Sequence, residues 1–155
     1  MTTAPVPESR IYRHLKCGGD TTVSGDSFEF ASNPFSNMSH TWCATCNGFF
    51  RVAEYEWSDT REKITDYYAR HGSRATPFQR FVCSRSIGII GMIIGLVLGL
   101  VTGNFLFLNQ AQGTRILLTL FAGFVGIMIC VMSQTELRKL IARRVCGVSD
   151  SRMLT

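Results

Sequence analysis

Charge is almost missing from one long stretch of this sequence of 155 residues, because Arg115 is the only charged side chain between residues 86 and 134. So long a stretch with one charge is not compatible with an ordinary solvated surface. It contains two apolar runs, 86–108 and 116–134, and a helix needs about 20 apolar residues to cross the hydrocarbon core of a bilayer. The sequence therefore predicts two transmembrane helices, and the short polar connector 109–115 requires them to run antiparallel as a hairpin.

The sequence also lacks an apolar stretch near its start. Residues 1–10 are mostly polar and contain two of the four prolines of the chain, which predicts a disordered leader and no signal peptide. No phosphate-binding loop, nucleophile–base pair or pair of catalytic carboxylates can be recognised in the sequence. These absences disfavour an enzyme and favour a binding or structural role.

Lysine and arginine are unevenly distributed around the two apolar runs. Residues 1–85 hold ten of them against nine acidic residues, and this near neutrality disfavours nucleic acid as a partner. Five cations follow the second run, and four of them lie close to it, namely Arg138, Lys139, Arg143 and Arg144. Under the positive-inside rule, this distribution predicts an integral, multi-pass membrane protein with its N- and C-termini in the cytoplasm. We expect the four cations, in a basic amphipathic tail over residues 135–155, to contact lipid headgroups.

Small residues recur at helical spacing in both apolar runs. The glycines concerned are Gly91, Gly95, Gly99 and Gly103 in the first run, and Gly123 and Gly126 in the second. Residues four apart lie on one face of a helix, so these glycines allow a second backbone to approach closely. Packing of the two helices within one chain and a homo-oligomeric interface both explain the pattern. Because neither run carries an internal charge, the sequence indicates no ion path or proton relay.

Four of the six cysteines lie before the apolar runs. A cytoplasmic location keeps thiols reduced, which favours metal binding over disulfides. Two short segments share one spacing, His14 with Cys17 and Cys43 with Cys46, and glycine follows each pair closely. A tight turn in which the glycine after the second ligand, Gly18 or Gly48, supplies the positive φ directs both side chains to one ion. The four side chains predict a tetrahedral metal site, with zinc favoured over iron.

At these two segments the chain resembles the zinc-ribbon proteins, over roughly Tyr12–Phe50. The segment CATC is similar to a standard zinc knuckle, and HLKCGG is similar to a knuckle in which His14 replaces the first cysteine. The resemblance implies a small antiparallel β unit clamped by zinc. Because the histidine departs from the family pattern, Cys83 is an alternative fourth ligand.

The sequence therefore predicts a small α+β, zinc-ribbon-like cytoplasmic domain over residues 11–85, joined to an α-helical transmembrane hairpin. Its predicted elements include a hairpin over residues 20–30, a strand over 49–57 and a helix near 59–71. Gly25 and Asp26 indicate the hairpin turn, while Asp59 and Glu62 have the spacing of a capping box at the helix start.

The functional expectation is a membrane-anchored zinc-binding interaction module or accessory subunit, which holds a cytoplasmic partner protein or complex at the bilayer. One alternative is a structural oligomer of the membrane built on the glycine face. A second alternative is a metal or redox enzyme that uses the cysteine cluster. The partners expected on the first reading are membrane lipid and either another protein or further copies of this chain.

Overall fold

The computed structural model describes residues 5–154, and these form two compact units. One unit comprises Met1–Pro77 together with Lys139–Thr155, and it is called here the α/β unit. The other comprises Phe78–Arg138 and is called the helical unit. The protein is thus a small α+β structure together with long apolar helices.

The α/β unit contains two small antiparallel sheets. The strands are β1 (Ser9–His14), β2 (Asp20–Ser24), β3 (His40–Cys43), β4 (Gly48–Arg51) and β5 (Tyr55–Trp57). Strand β1 is central in a sheet of order β2-β1-β5, while β3 and β4 pair only with each other. Helices α1 (Gly25–Ser32) and α2 (Ile64–Gly72) complete the unit, with short 3-10 turns at Val52–Glu54 and Ser151–Met153.

Aromatic side chains fill the core of the α/β unit. Tyr12 meets Tyr55 edge-on with ring centroids 5.2 Å apart, and Trp57 meets Tyr67 in the same way at 5.7 Å. Such edge-to-face pairs contribute beyond the burial of their area. The guanidinium of Arg10 lies 4.1 Å above the centroid of the Trp57 ring, so the core is closed on one side by a cation–π contact.

The last residues of the chain are part of this core. Leu154 and Ser151 are buried. The backbone carbonyl of Leu154 accepts hydrogen bonds from the Arg10 guanidinium at 3.2 Å and from the Tyr67 hydroxyl at 3.4 Å. The hydroxyl of Ser151 donates to the carbonyl of Glu29 at 3.1 Å. A terminus held by side-chain hydrogen bonds and a buried leucine stabilises the unit that it closes.

Two of the predicted elements of the α/β unit are wrong. Gly25–Ser32 forms helix α1 and not the second arm of a hairpin, because Phe28 and Ala31, three residues apart, bury one helical face in the core. The single strand predicted over residues 49–57 is divided into β4 and β5 by the 3-10 turn at Val52–Glu54. The turn buries Val52 and lets the two strands join different sheets.

The predicted start of the second helix is also wrong, since α2 begins at Ile64. The carboxylate of Asp59 does not cap a helix and instead accepts hydrogen bonds from the Arg10 side chain at 3.0 Å. Glu62 accepts from Arg70 at 2.7 Å, eight residues along the chain. The predicted disordered leader includes residues that belong to β1, which begins at Ser9, and its first four residues lie outside the described part of the chain.

The helical unit is built from α3 (Pro77–Val82), α4 (Arg85–Leu106) and much of α5 (Gln112–Cys146). By length and composition, α4 and α5 could each cross a membrane, because their most apolar 18-residue windows have mean hydropathies of 2.3 and 2.5. Only 17% and 6% of those windows is buried, whereas the core helix of a soluble protein buries most of its apolar side chains.

Glycines of α4 lie against small residues of α5. A Cβ atom added at Gly99 would collide with the backbone carbonyl of Ala122, and one added at Gly95 would collide with that of Gly126. A Cβ at Gly91, in contrast, meets no atom within 4 Å. The intrachain explanation therefore accounts for part of the predicted glycine face, and the homo-oligomeric interface stays a prediction. Gly103 likewise lies against Thr119 and Ala122, while Gly123 of α5 lies against the side chains of Leu96 and Leu100.

Candidate metal centre

The first pair of candidate ligands lies on the turn between β1 and β2. The backbone N–H of His14 donates to the carbonyl of Gly19 at 2.9 Å, and the N–H of Gly18 donates to the carbonyl of His14 at 2.8 Å. Gly18 has φ of +69°, the left-handed conformation that glycine adopts without strain. The N–H of Gly19 points to the sulfur of Cys17 at 3.3 Å. The turn therefore directs the side chains of His14 and Cys17 to the same side.

The second pair lies on the turn between β3 and β4. The N–H of Cys46 points to the sulfur of Cys43 at 3.4 Å, which repeats the N–H···S contact of the first turn. Here the positive φ belongs to Asn47, at 51°, and not to Gly48 as the sequence predicted. Asparagine tolerates this region through its short polar side chain. The two turns touch, because a Cβ at Gly19 would collide with the side chain of Thr45.

The four predicted side chains lie together. Their ligand atoms are all within 4.8 Å of one another. The Nδ1 atom of His14 is 3.3 Å from the sulfur of Cys17 and 3.6 Å from that of Cys46, and the sulfurs of Cys17 and Cys43 are 3.6 Å apart. A tetrahedral ion with bonds of 2.0–2.3 Å needs ligands about 3.3–3.8 Å apart. These residues are therefore close enough to hold one metal ion.

The imidazole of His14 is packed between two aromatic rings, and both of its nitrogens have polar neighbours. Its ring lies between Tyr55 and Phe50, with centroid separations of 4.7 and 4.6 Å, and only 1% of the residue is exposed. While Nδ1 faces the sulfurs, Nε2 faces the carboxylate of Glu54 at 3.5 Å. Glu54 is itself bound by the ammonium of Lys16 at 2.8 Å. A carboxylate on the far nitrogen fixes the tautomer and orientation of a metal-binding imidazole.

The pKa values of Cys43 and Cys46 are shifted in opposite directions. Burial raises the pKa of Cys43, but hydrogen bonds from the Cys46 N–H, the neighbouring thiols and His14 outweigh burial and lower it to about 7. The pKa of Cys46 is raised to about 12, first by its hydrogen bond with Cys17 and then by burial. Thiolates this close repel one another, so a bound cation would favour the ionised form of all three.

The remaining candidates have other surroundings. Cys83 belongs to the helical unit, where it is buried, and its role as an alternative ligand stays a prediction. Cys146 donates weakly to the carbonyl of His71 at 3.8 Å within the α/β unit. His40 contacts the hydroxyl of Ser39 at 3.1 Å. Four ligands already complete a tetrahedral site, so the cluster has no need of a further residue.

Glu54 is the one member of the site that sequence reasoning missed. It lies 40 residues from His14 in the chain and carries no spacing signal of its own. Its placement depends on the pairing of β5 with β1, which sets His14 opposite Tyr55. Both Glu54 and Glu56 fall within the strand predicted over residues 49–57, so their position in the sequence does not distinguish them.

The predicted lipid-binding cations have mixed environments. Lys139 and Arg143 each form an ion pair with Glu29 at 3.1 Å inside the α/β unit. Within the helical unit, Arg138 donates to the carbonyl of Ser84 at 3.4 Å. Arg144 is exposed. Their contact with headgroups stays a prediction, and it is most direct for Arg144.

The centre is thus defined by its donor set, three thiols and one imidazole that converge from two hairpin turns. Comparisons of the chain with protein-family models, with curated proteins and with solved structures give no match.

Proposed function

We propose that this chain is an integral membrane protein whose α/β unit is a zinc-stabilised interaction module that holds a cytoplasmic protein partner at the bilayer. The observation that carries the proposal is the convergence of His14, Cys17, Cys43 and Cys46 within 4.8 Å. A site made by two turns that are far apart in sequence cross-links the unit. Such a cross-link matters most where the core is small.

Zinc is the metal that suits this donor set best. Three thiolates and an imidazole are a common structural zinc set, and four protein ligands leave no open position for a reacting water. The N–H···S contacts at Cys17 and Cys43 compensate part of the thiolate charge. Iron sites of the all-sulfur kind would have a fourth cysteine in place of His14. A closed site supports a structural role and gives no support to hydrolysis.

The proposal places α4 and α5 across the membrane as a hairpin. Their exposed apolar side chains, which water would solvate poorly, support this placement. Arginines precede the first helix and follow the apolar part of the second, whereas Arg115 is the only cation near the connector. The positive-inside rule then puts the α/β unit, which contains both ends of the chain, in the cytoplasm.

The test is the metal content of the purified full-length chain in detergent, measured by inductively coupled plasma mass spectrometry. We expect about one zinc per chain, since one closed four-ligand site is proposed. Zinc should be lost in Cys43→Ser and His14→Ala but kept in Cys83→Ser and in the matched control Cys130→Ser. A chain that is folded and metal-free would contradict the proposal, as would zinc that depends on Cys83.

The membrane part is tested separately with reporter fusions. A cytoplasmic reporter should be active at either end of the chain, and a reporter of the opposite compartment should be active only when inserted in the connector. Release of the full-length chain from membranes by carbonate washing would contradict the anchored hairpin.

A further inference from the structure

A groove of about 570 Å³ lies between strands β2 and β3 of the α/β unit. One wall is β2 and the other is β3, and helix α1, Met38 of the following loop and Phe49 of β4 contribute further lining residues. One end is closed where the N–H of Ala44 donates to the hydroxyl of Thr21 at 3.2 Å. The floor includes Tyr12, whose hydroxyl donates to the carbonyl of Trp42 at 2.8 Å. The metal centre does not use this groove.

The groove exposes the edges of the strands. Four consecutive residues, Thr21–Ser24, line it on one side, and three consecutive residues, His40–Trp42, line it on the other. Successive side chains point to opposite faces of a sheet, so a lining by consecutive residues marks a strand edge. Across the described residues 5–154, β2 pairs with β1 alone. Its outer edge therefore presents backbone donors and acceptors to the groove.

Apart from Asp20 at its start, strand β2 has no charged residue, proline or bulge to protect its exposed edge. Proteins place lysine, proline or a bulge on such an edge to prevent pairing with another chain. The residues along the groove are threonine, threonine, valine and serine, and their register with β1 is continuous from Ser9↔Ser24 to Arg13↔Asp20. An edge of this composition is able to accept a further strand.

Exposed aromatic rings stand beside this edge. Phe30 is 45% exposed, Trp42 is 38% exposed and Phe49 is 70% exposed. Trp42 and Phe49 pack edge-on with centroids 5.1 Å apart, so they form a stable apolar surface. Aromatic residues held in this way are typical anchors of protein interfaces.

Asp26 gives the groove its charge. Among the described residues 5–154, it is the one carboxylate that lines the groove, and no lysine or arginine of this part of the chain lines it. A ligand of this groove would complement the charge of Asp26 if it placed a basic residue next to that carboxylate. The open edge of β2, the exposed aromatic rings and the carboxylate of Asp26 fit one kind of occupant. This is an extended polypeptide that carries an apolar side chain and a basic side chain.

We propose that this groove binds an extended segment of the partner protein, which adds to β2 as a further strand. The segment places an apolar side chain against Phe30, Trp42 and Phe49, and a lysine or arginine next to Asp26. Backbone hydrogen bonds give affinity in this mode of recognition, and the side-chain contacts give specificity. The inference rests on the proposed function and names the chemistry of the partner.

The experiment uses the full-length chain in lipid nanodiscs and a displayed library of random linear peptides as the probe. We expect enriched peptides that combine an apolar residue with a nearby lysine or arginine and that compete with one another. Methylation of alternate backbone nitrogens in a selected peptide should abolish binding in one of the two registers, because only one set of N–H groups faces β2.

Paired variants then locate the site. Trp42→Ser and Phe49→Ser should weaken the selected peptide about tenfold or more, whereas Ile11→Ser, at a residue that is 42% exposed outside the groove, should have no effect. Asp26→Lys should weaken binding and favour a peptide in which the basic residue is exchanged for glutamate. Asp66→Lys, at an exposed residue of α2 outside the groove, is its control.

Zinc content and membrane retention are measured on every sample, so failure of the inference can be told from failure of the proposed function. A zinc-loaded, anchored chain that enriches no peptide would overturn the inference alone. Peptides that bind equally well to the groove variants, or that tolerate methylation in both registers, would also overturn it. So would self-association of the chain that Trp42→Ser removes, since the groove would then hold a second copy. A chain without zinc would contradict the proposed function instead.

Discussion

The two units of this protein are stabilised in opposite ways. The α/β unit buries its large side chains, and Tyr12, Tyr55 and Trp57 are almost fully enclosed. The helical unit leaves rings such as Phe105 and Phe121 mostly exposed and brings its helices together through glycine. Burial of large apolar side chains stabilises a small domain in water. Exposed apolar rings and close helix contacts at glycine are typical of helices surrounded by lipid.

The comparison shows which contacts each unit depends on. In the α/β unit the decisive contacts join residues far apart in sequence, such as Arg10 with Leu154 or His14 with Cys46. In the helical unit the decisive contacts join α4 and α5, which are separated by only a short connector in the chain. We therefore expect damage to the metal centre or the C-terminus to affect the α/β unit alone, and damage to the glycines to affect the helical unit alone.

Removal of the proposed zinc ion should have the largest effect. Binding of structural zinc contributes about 10 kcal/mol or more to the folding of small domains, so Cys43→Ser should unfold the α/β unit. Both tryptophans of the chain, Trp42 and Trp57, lie in that unit, and their fluorescence therefore reports on it. We expect the fluorescence of an unfolded segment while most of the helical circular dichroism is kept.

Excess chelator, or acid, should reproduce the effect of Cys43→Ser, because the ligands must be deprotonated to bind the metal. Cys130→Ala, in the helical unit, is the control and should leave the tryptophan signal unchanged. Native fluorescence after complete removal of metal would show that the α/β unit does not depend on it.

The next largest effect is expected at the C-terminus. Leu154→Ala removes a buried side chain from the core and should lower the free energy of unfolding of the α/β unit by about 2–4 kcal/mol. Ile11→Ala, at an exposed position, should change it by less than about 0.5 kcal/mol. Denaturant titration followed by tryptophan fluorescence compares them, and equal midpoints would contradict the packing of the terminus.

A smaller effect is expected from the glycine contacts of the helical unit. Gly99→Leu forces α4 away from the carbonyl of Ala122 and should cost about 1–3 kcal/mol. Gly91→Leu is the matched control, since a side chain there meets open space. Thermal loss of helical circular dichroism in detergent measures both variants, and zinc content should stay unchanged. If Gly91→Leu were the more damaging, a contact with another copy would be indicated.

The smallest effect concerns the residue behind His14. Glu54→Gln keeps the shape of the side chain but removes the charge that faces Nε2, and it should weaken zinc binding about 10- to 100-fold. Glu56→Gln, two residues along and paired with Arg61 at 3.1 Å, should not change it. Competition with a chelator of known affinity measures both. Equal affinities would show that Glu54 does not position the imidazole.

Features that depend on neighbouring residues in the sequence could be predicted, and features that depend on tertiary contacts could not. Helices α4 and α5 and the four candidate ligands are encoded locally, by apolar length and by the spacing of two residues between His14 and Cys17 and between Cys43 and Cys46. Helix α1 was missed because Gly25 and Asp26 are typical turn residues, and the burial of Phe28 that favours the helix is a tertiary effect.

The contacts that could not be predicted are the long-range ones. Leu154 packs in the same core as Tyr12, although the two residues are 142 positions apart in the chain, and nothing near Leu154 in the sequence indicates this. Glu54 contacts His14 only because strands β1 and β5 pair. The groove between β2 and β3 likewise exists only once two hairpins are set side by side. Local pattern thus predicted four residues that the fold brings close together, whereas the contacts that support them depend on tertiary structure.

The most direct test of the metal centre is X-ray absorption spectroscopy of the zinc-loaded, full-length chain at the zinc edge. The arrangement of His14, Cys17, Cys43 and Cys46 predicts three sulfur ligands at about 2.3 Å and one nitrogen ligand at about 2.0–2.1 Å. In His14→Ala the nitrogen should disappear. A first shell of four sulfurs, or one completed by oxygen, would contradict the centre described here.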